Sequence, residues 1–164
     1  MPIFIYILLF GMLCSPLQMT GQLQANSYVY QPAKVHIQLI EGWQVEENDQ
    51  VSIVQHEGGE LSLSLSVLEA EKIEEALMDL ESIMNEQLSD PSIVETPEII
   101  EINGMQGVAL GMQGFMKGMQ VQVGLFLIER PQKVLLVLGI GEKTTLTQYE
   151  DELNKIIKSI KPLN

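Results

Sequence analysis

The segment from Ile99 to Ile140 constrains the fold most, because it reads as three or four β-strands in immediate succession joined by tight turns. Asn103-Gly104 is the first turn: a two-residue type I′ turn needs positive φ at both central positions, and Asn-Gly adopts it readily. Beyond it Val108, Leu110 and Met112 share a face, and past Lys117-Gly118 so do Val121, Val123, Leu125 and Leu127. With Lys117-Gly118 as a second two-residue turn, Met112 meets Val123, Leu110 meets Leu125 and Val108 meets Leu127. A slip of one residue sets the same side chains against Gln122, Gly124 and Phe126, so burial selects the first register. Arg130-Pro131-Gln132-Lys133 turns the chain again. Val134 to Leu138 is then apolar throughout, the pattern of a central strand covered on both faces.

Upstream, Lys34 to Ile40 reads as a first strand, broken by Gly42-Trp43. Trp43 is the only tryptophan, and its large apolar area with a single N–H donor suits a buried anchor for the sheet. No other aromatic residue lies near it in sequence to form a ligand cage. Val51 to His56 and Leu61 to Leu68 read as a strand pair, the second alternating Leu61, Leu63, Leu65, Val67 with Ser62, Ser64, Ser66. The expected register sets Val51 and Ile53 against Val67 and Leu65 and places His56 on the serine side. From Ile73 to Leu88 the apolar residues Ile73, Leu77, Leu80, Met84 and Leu88 recur at helical spacing, with acidic residues elsewhere. Asp90-Pro91 stops this helix, and Ser92 to Glu98 reads as a loop leading into an edge strand. The closing helix carries Leu146, Tyr149, Leu153, Ile156, Ile157 and Ile160 as its apolar stripe, opens on a Thr147-x-x-Glu150 capping box and ends at Pro162.

These elements predict an α+β fold: an antiparallel sheet of six to seven strands sandwiched by two main helices. The expected division is a signal peptide at 1–25, an extended leader at 26–33 and one domain at 34–164. A chain of 164 residues can bury a proper core as one domain. Ile3 to Leu13 is an uninterrupted apolar run of signal-peptide length, too short to span a bilayer, which predicts an exported protein, periplasmic or secreted. Cys14 ends that run and raises a lipid-anchored alternative, although Gly11 and Leu13 stand where a lipoprotein signal has Leu and a small residue. Cleavage beyond Cys14 removes the only cysteine and with it thiol chemistry.

Charge excludes another class of partner. Glu41 to Glu101 holds 17 acidic residues against Lys72 alone, within a chain of formal net charge −13. Such a chain repels phosphate backbones and anionic lipid, so nucleic acid and strong binding to anionic membranes are not expected.

Catalytic and cofactor motifs are not readable. Gly139 to Thr144 lies between a strand and a helix where a phosphate loop would sit, but Glu142 stands where that loop needs glycine. His56 beside Ser62 or Ser64 lacks an orienting carboxylate and an oxyanion loop. His36 and His56 have no zinc-ligand spacing, and Val51 and Ile53 break an EF-hand between Asp49 and Glu60. The triplet Gly-Met-Gln recurs at Gly104, Gly111 and Gly118. Met112, Met116 and Met119 near the hairpin tip make a candidate contact surface for a protein partner, and their soft sulfurs bring copper(I) to mind. No catalytic residue, metal ligand or cofactor is assigned. The expected function is an exported, non-enzymatic binding or assembly accessory protein. The alternatives are a copper- or calcium-handling protein and a hydrolase whose site is assembled from distant residues.

Over Lys34 to Lys161 the chain resembles the PsbP-like proteins. The likeness rests on Val35-His36-Ile37-Gln38-Leu39-Ile40-Glu41-Gly42-Trp43, similar to that family's strand followed by Pro-x-Gly-Trp, with Ile40 in the proline's place. It rests also on the acidic helix after a strand pair, the antiparallel meander, and the closing Tyr149 to Lys161, where Ile160 replaces a phenylalanine. Gly42, Trp43, Asn103, Gly104 and Tyr149 are expected to be structural anchors. The resemblance implies a sheet with helices on both faces, used for protein binding or assembly, and it supplies no catalytic residues.

Overall fold

The structure, a computed structural model, describes residues 27–47, 51–59 and 61–163. The expected signal at 1–25 lies outside the described residues.

The chain begins with β1 (Ser27–Tyr30), a single 3₁₀ turn (Gln31–Ala33) and β2 (Val35–Gln38). Within the expected extended leader, β1 pairs antiparallel with β2, Tyr30 opposite Val35. Pro32 is the second residue of the 3₁₀ turn, and Lys34 closes it at φ +50°. A type II turn follows, with Trp43 N–H donating to Ile40 O at 3.1 Å and Gly42 at φ +85°, which only glycine adopts cheaply. The turn's Gly-Trp therefore works without the family's proline.

β3 (Trp43–Glu47), β4 (Ser52–His56) and β5 (Ser62–Leu68) form one meander. α1 (Ile73–Gln87) then carries the chain across the sheet to the far edge. There a second meander runs back toward the centre through β6 (Ser89–Ile102), β7 (Met105–Met116), β8 (Met119–Arg130) and β9 (Lys133–Gly141). The result is a seven-stranded antiparallel sheet of order β3-β4-β5-β9-β8-β7-β6. Both two-residue turns form as expected, with Asn103, Gly104, Lys117 and Gly118 all at positive φ. The β7–β8 register is also the expected one, pairing Met112 with Val123, Leu110 with Leu125 and Val108 with Leu127. β9 sits at the middle of the sheet, and Val134 to Leu138 are buried on both faces.

Three local expectations are corrected. The segment Ser92 to Glu98 is part of strand β6 rather than a loop; it pairs with β7 through three register shifts, which Pro91 and Pro97 on an open edge accommodate. The closing helix is two, α2 (Lys143–Gln148) and α3 (Glu150–Lys158), divided at Tyr149. Thr147 lies inside α2, so the capping box does not form, and α3 begins without a side-chain cap bond. The β4–β5 register is shifted by one residue, pairing Ser52 with Leu65 and Val54 with Leu63. The shift brings Val54 into the core beside Leu61, Leu63 and Leu65. It also turns His56 to the leucine side, opposite Leu61, with His56 N–H donating to Leu61 O.

The layering differs in one respect from a sheet between two helices. α1 covers one face, where Ala76, Leu80 and Met84 pack on Leu110, Met112, Val123, Leu125 and Leu136. The other face is covered jointly by α3 and a second sheet of three strands, β1-β2-β10, where β10 (Lys161–Pro162) pairs with β2. Val35, Ile37, Ile156 and Ile160 there pack on Leu63, Leu65, Ile128 and Val137. A short β10 ending in proline and a short β1 both suit the edges of a small sheet.

Candidate functional site

Gly111, Gly124 and Gly139 stand side by side on three neighbouring strands of the large sheet. The β7–β8 register pairs Gly111 with Gly124, and the β8–β9 register pairs Gly124 with Gly139. Leu63 flanks the row at one end and Glu95 at the other. Three adjacent missing side chains leave a trough on this face, and α2 and α3 roof part of it. The resulting open pocket, about 270 Å³, is lined by Gln122 and Phe126 of β8, Val94 and Glu95 of β6, and Leu146, Thr147, Glu150, Leu153, Asn154 and Ile157 of the two helices.

The three glycines are not equivalent. A Cβ on Gly139 would come within 3.0 Å of Leu63 Cδ2, and one on Gly111 within 2.9 Å of Glu95 Oε2. Glu95 therefore lies over the floor at Gly111. A Cβ on Gly124 would meet nothing within 4 Å, so Gly124 is the open centre of the floor. The lining mixes apolar side chains, Leu63, Phe126, Leu146 and Leu153, with polar ones, Glu95, Glu150, Gln122 and Asn154. Among the described residues no lysine, arginine or histidine lines the pocket.

A second cluster lies beyond the other side of α3. Trp43 Nε1–H donates to Glu152 Oε2 at 2.7 Å, which satisfies the one polar group of an indole only 6% exposed. Trp43 is buried, as expected. His56 packs edge-on to Trp43 at 5.5 Å between ring centroids and lies 4.7 Å from Tyr149. Aromatic neighbours for Trp43 thus exist, brought from residues distant in sequence. His56 Nδ1 accepts from Gly58 N–H at 3.1 Å. Its ring is on the face opposite Ser62 and Ser64, so no serine–histidine couple forms. Ser64 Oγ instead points to Leu138 O.

Asn103 and Tyr149 each contact residues distant in sequence. Asn103 Nδ2 donates to both Lys158 O and Ile160 O at 2.8 Å, tying the first hairpin turn to the end of α3. Tyr149 is buried at the α2–α3 break against His56.

The methionine surface is corrected. Met112 and Met116 are each 9% exposed and belong to the core under α1, whereas Met119 is 59% exposed. Met116 and Met119 pair across the turn as expected, but hairpin twist at the tip leaves only Met119 in solvent. Two core sulfurs do not make a contact surface. Among the described residues no group of three His, Cys, Asp or Glu side chains converges to hold a metal ion. No helix among them is long and apolar enough to cross a membrane.

The pocket was missed in the sequence, although its signal was there. The register that places Leu110 opposite Leu125 also places Gly111 opposite Gly124; only the pairing of β8 with β9 was lacking to add Gly139.

The sheet order, the acidic helix α1 and the closing helix define a PsbP-like fold. Among solved structures, cyanobacterial PsbP (CyanoP) from Synechocystis superposes with TM-score 0.62 at 10% identity, covering 89% of this chain and 98% of that one. A Pseudomonas aeruginosa protein of unknown function, described as a putative regulator, gives 0.55 at 15% identity, covering 81% and 93%. LpqN of Mycobacterium tuberculosis, involved in cell envelope biogenesis, gives 0.57 at 11% identity, covering 77% and 82%. No family model and no curated protein matches the sequence. At these identities the likeness is one of fold.

Proposed function

We propose that this chain is an exported, non-enzymatic binding protein that engages a protein partner through the pocket floored by Gly111, Gly124 and Gly139. The observation that carries the reading is Gly124, whose missing side chain leaves open space at the middle of the row of three glycines on the sheet face beneath α2 and α3. Glycine weakens a strand interior, and a recurrent reason for it there is the close approach of another group. Export is supported by the apolar run Ile3 to Leu13 and by neighbours such as LpqN, described as involved in envelope biogenesis. A non-enzymatic role is supported by neighbours described as PsbP, a putative regulator or of unknown function.

The test compares the wild-type chain with Gly124→Val as baits on extracytoplasmic extract of the host. Valine favours a strand and meets no neighbour at its Cβ, so the variant should fold with unchanged or raised Tm. The expected result is one saturable partner retained by wild type and lost by Gly124→Val. A partner retained equally by both moves the binding surface elsewhere and sinks the reading.

A further inference from the structure

From the charge of the pocket's rim we infer that the partner presents a basic side chain, arginine or lysine, whose apolar stem lies over Gly124 and whose cationic head meets Glu95 and Glu150. This rests on the pocket being the partner's site. Glu95 lies over Gly111 at one end of the floor, and Glu150 stands at the start of α3 on the roof. Among the described residues neither carboxylate has an ion-pair partner, and no basic side chain lines the pocket. Gln122 and Asn154 add amide oxygens that accept further N–H donors.

The outer wall has the same sign, while the roof helices set Lys143, Lys155 and Lys158, none of which lines the pocket, against Glu150, Asp151 and Glu152. β6, which forms the pocket's outer wall, carries Asp90, Glu95, Glu98 and Glu101 and no lysine or arginine. The helix dipole at the start of α3 is positive by roughly half a charge, which the three carboxylates Glu150, Asp151 and Glu152 outweigh. An anionic or neutral side chain of the same size gains nothing from this field. A guanidinium gains paired N–H···O bonds, and its methylene stem fits an apolar floor. The cavity of about 270 Å³ suits a single long side chain better than a folded surface. The three register shifts and two prolines of β6 blunt that edge, so insertion into the pocket is favoured over addition of a strand.

The test is amide NMR on the full chain, following Gly111, Gly124 and Gly139 during titration with a capped pentapeptide of arginine between pairs of alanines. Matched peptides carry glutamine or glutamate at the centre. The arginine peptide should shift the three glycine signals, and glutamine should weaken binding about tenfold, the scale of one charge-assisted pair. Glu95→Gln and Glu150→Gln should each weaken it about threefold, and 0.5 M salt should weaken it further, as roughly expected for exposed pairs. Gly124→Val should abolish the response while remaining folded.

Equal binding of the glutamine peptide at the same glycines overturns the inference and leaves the pocket as the site. No shift up to about 10 mM peptide, a level at which even weak contacts register, overturns it as well. Agmatine binding as tightly as the peptide also overturns it, because a free small cation would then be the occupant.

Discussion

Trp43 and Glu152, 109 residues apart, are joined by a 2.7 Å hydrogen bond that closes the first strand of the large sheet against the last helix. Its donor is a buried indole N–H and its acceptor a carboxylate in the first turn of α3, where negative charge also suits the helix dipole. Glu152→Ala leaves the indole unsatisfied and should cost about 1–3 kcal/mol, measured by urea unfolding. Glu152→Gln keeps an acceptor and should cost less than half of that. Equal costs for the two variants would show that the bond contributes little.

Asn103 does two jobs with one side chain. Its backbone takes φ +50° in the turn, while Nδ2 satisfies the carbonyls of Lys158 and Ile160. Asn103→Gly keeps the turn and loses both bonds. Asn103→Asp keeps the turn and sets a carboxylate against two carbonyl oxygens. The aspartate variant should therefore be the less stable, by about 1 kcal/mol or more, with unfolding midpoints as the readout.

Tyr30 is buried, and its hydroxyl has no hydrogen-bond partner among the described residues. Burial, with a smaller contribution from Tyr28, pushes its phenol up to about 12 from the usual 10. The folded state thus holds this proton more tightly than the unfolded state. The associated stability is complete below pH 10 and is lost as pH rises from 10 toward 12. Tyr30→Phe removes the unsatisfied group and should leave stability at pH 7 unchanged or raised. It should also flatten the alkaline decline, leaving the smaller share from Tyr28, whose phenol is likewise raised by burial.

The two ends of the methionine series should behave differently. Met112→Ser places a hydroxyl in the core beneath α1 and should cost about 2–5 kcal/mol, the range for losing a large buried side chain. Met119→Ser alters an exposed position at the hairpin tip and should stay within about 0.5 kcal/mol, checked by the same unfolding curves.

Hairpins were the most legible part of the chain. Asn103-Gly104 and Lys117-Gly118 set the turns, and the apolar alternation from Val108 to Leu127 set the register, because both signals act between residues close in sequence. The β4–β5 register failed for the same physical reason in reverse. Its loop is longer, and Val51, Ile53 and Val54 are all apolar, so the choice fell to the packing of Val54 against the second sheet and α3. The α2–α3 break at Tyr149 was hidden because a continuous apolar stripe spans both helices.

Alternation, helical spacing and turn residues by themselves determined strands β2, β4, β5, β7, β8 and β9, the helix α1, the central position of β9 and the burial of Trp43. These are local patterns that demand burial of one face, and one chain segment suffices to state them. Only the tertiary structure decided that β1, β2 and β10 make a separate sheet, that α1 carries the chain to the far edge, and that His56 meets Trp43 and Tyr149. It also decided that Gly111, Gly124 and Gly139 align. Each of these depends on which distant segments share a face, and that choice is made by the summed burial of the whole core rather than by any residue's neighbours in sequence.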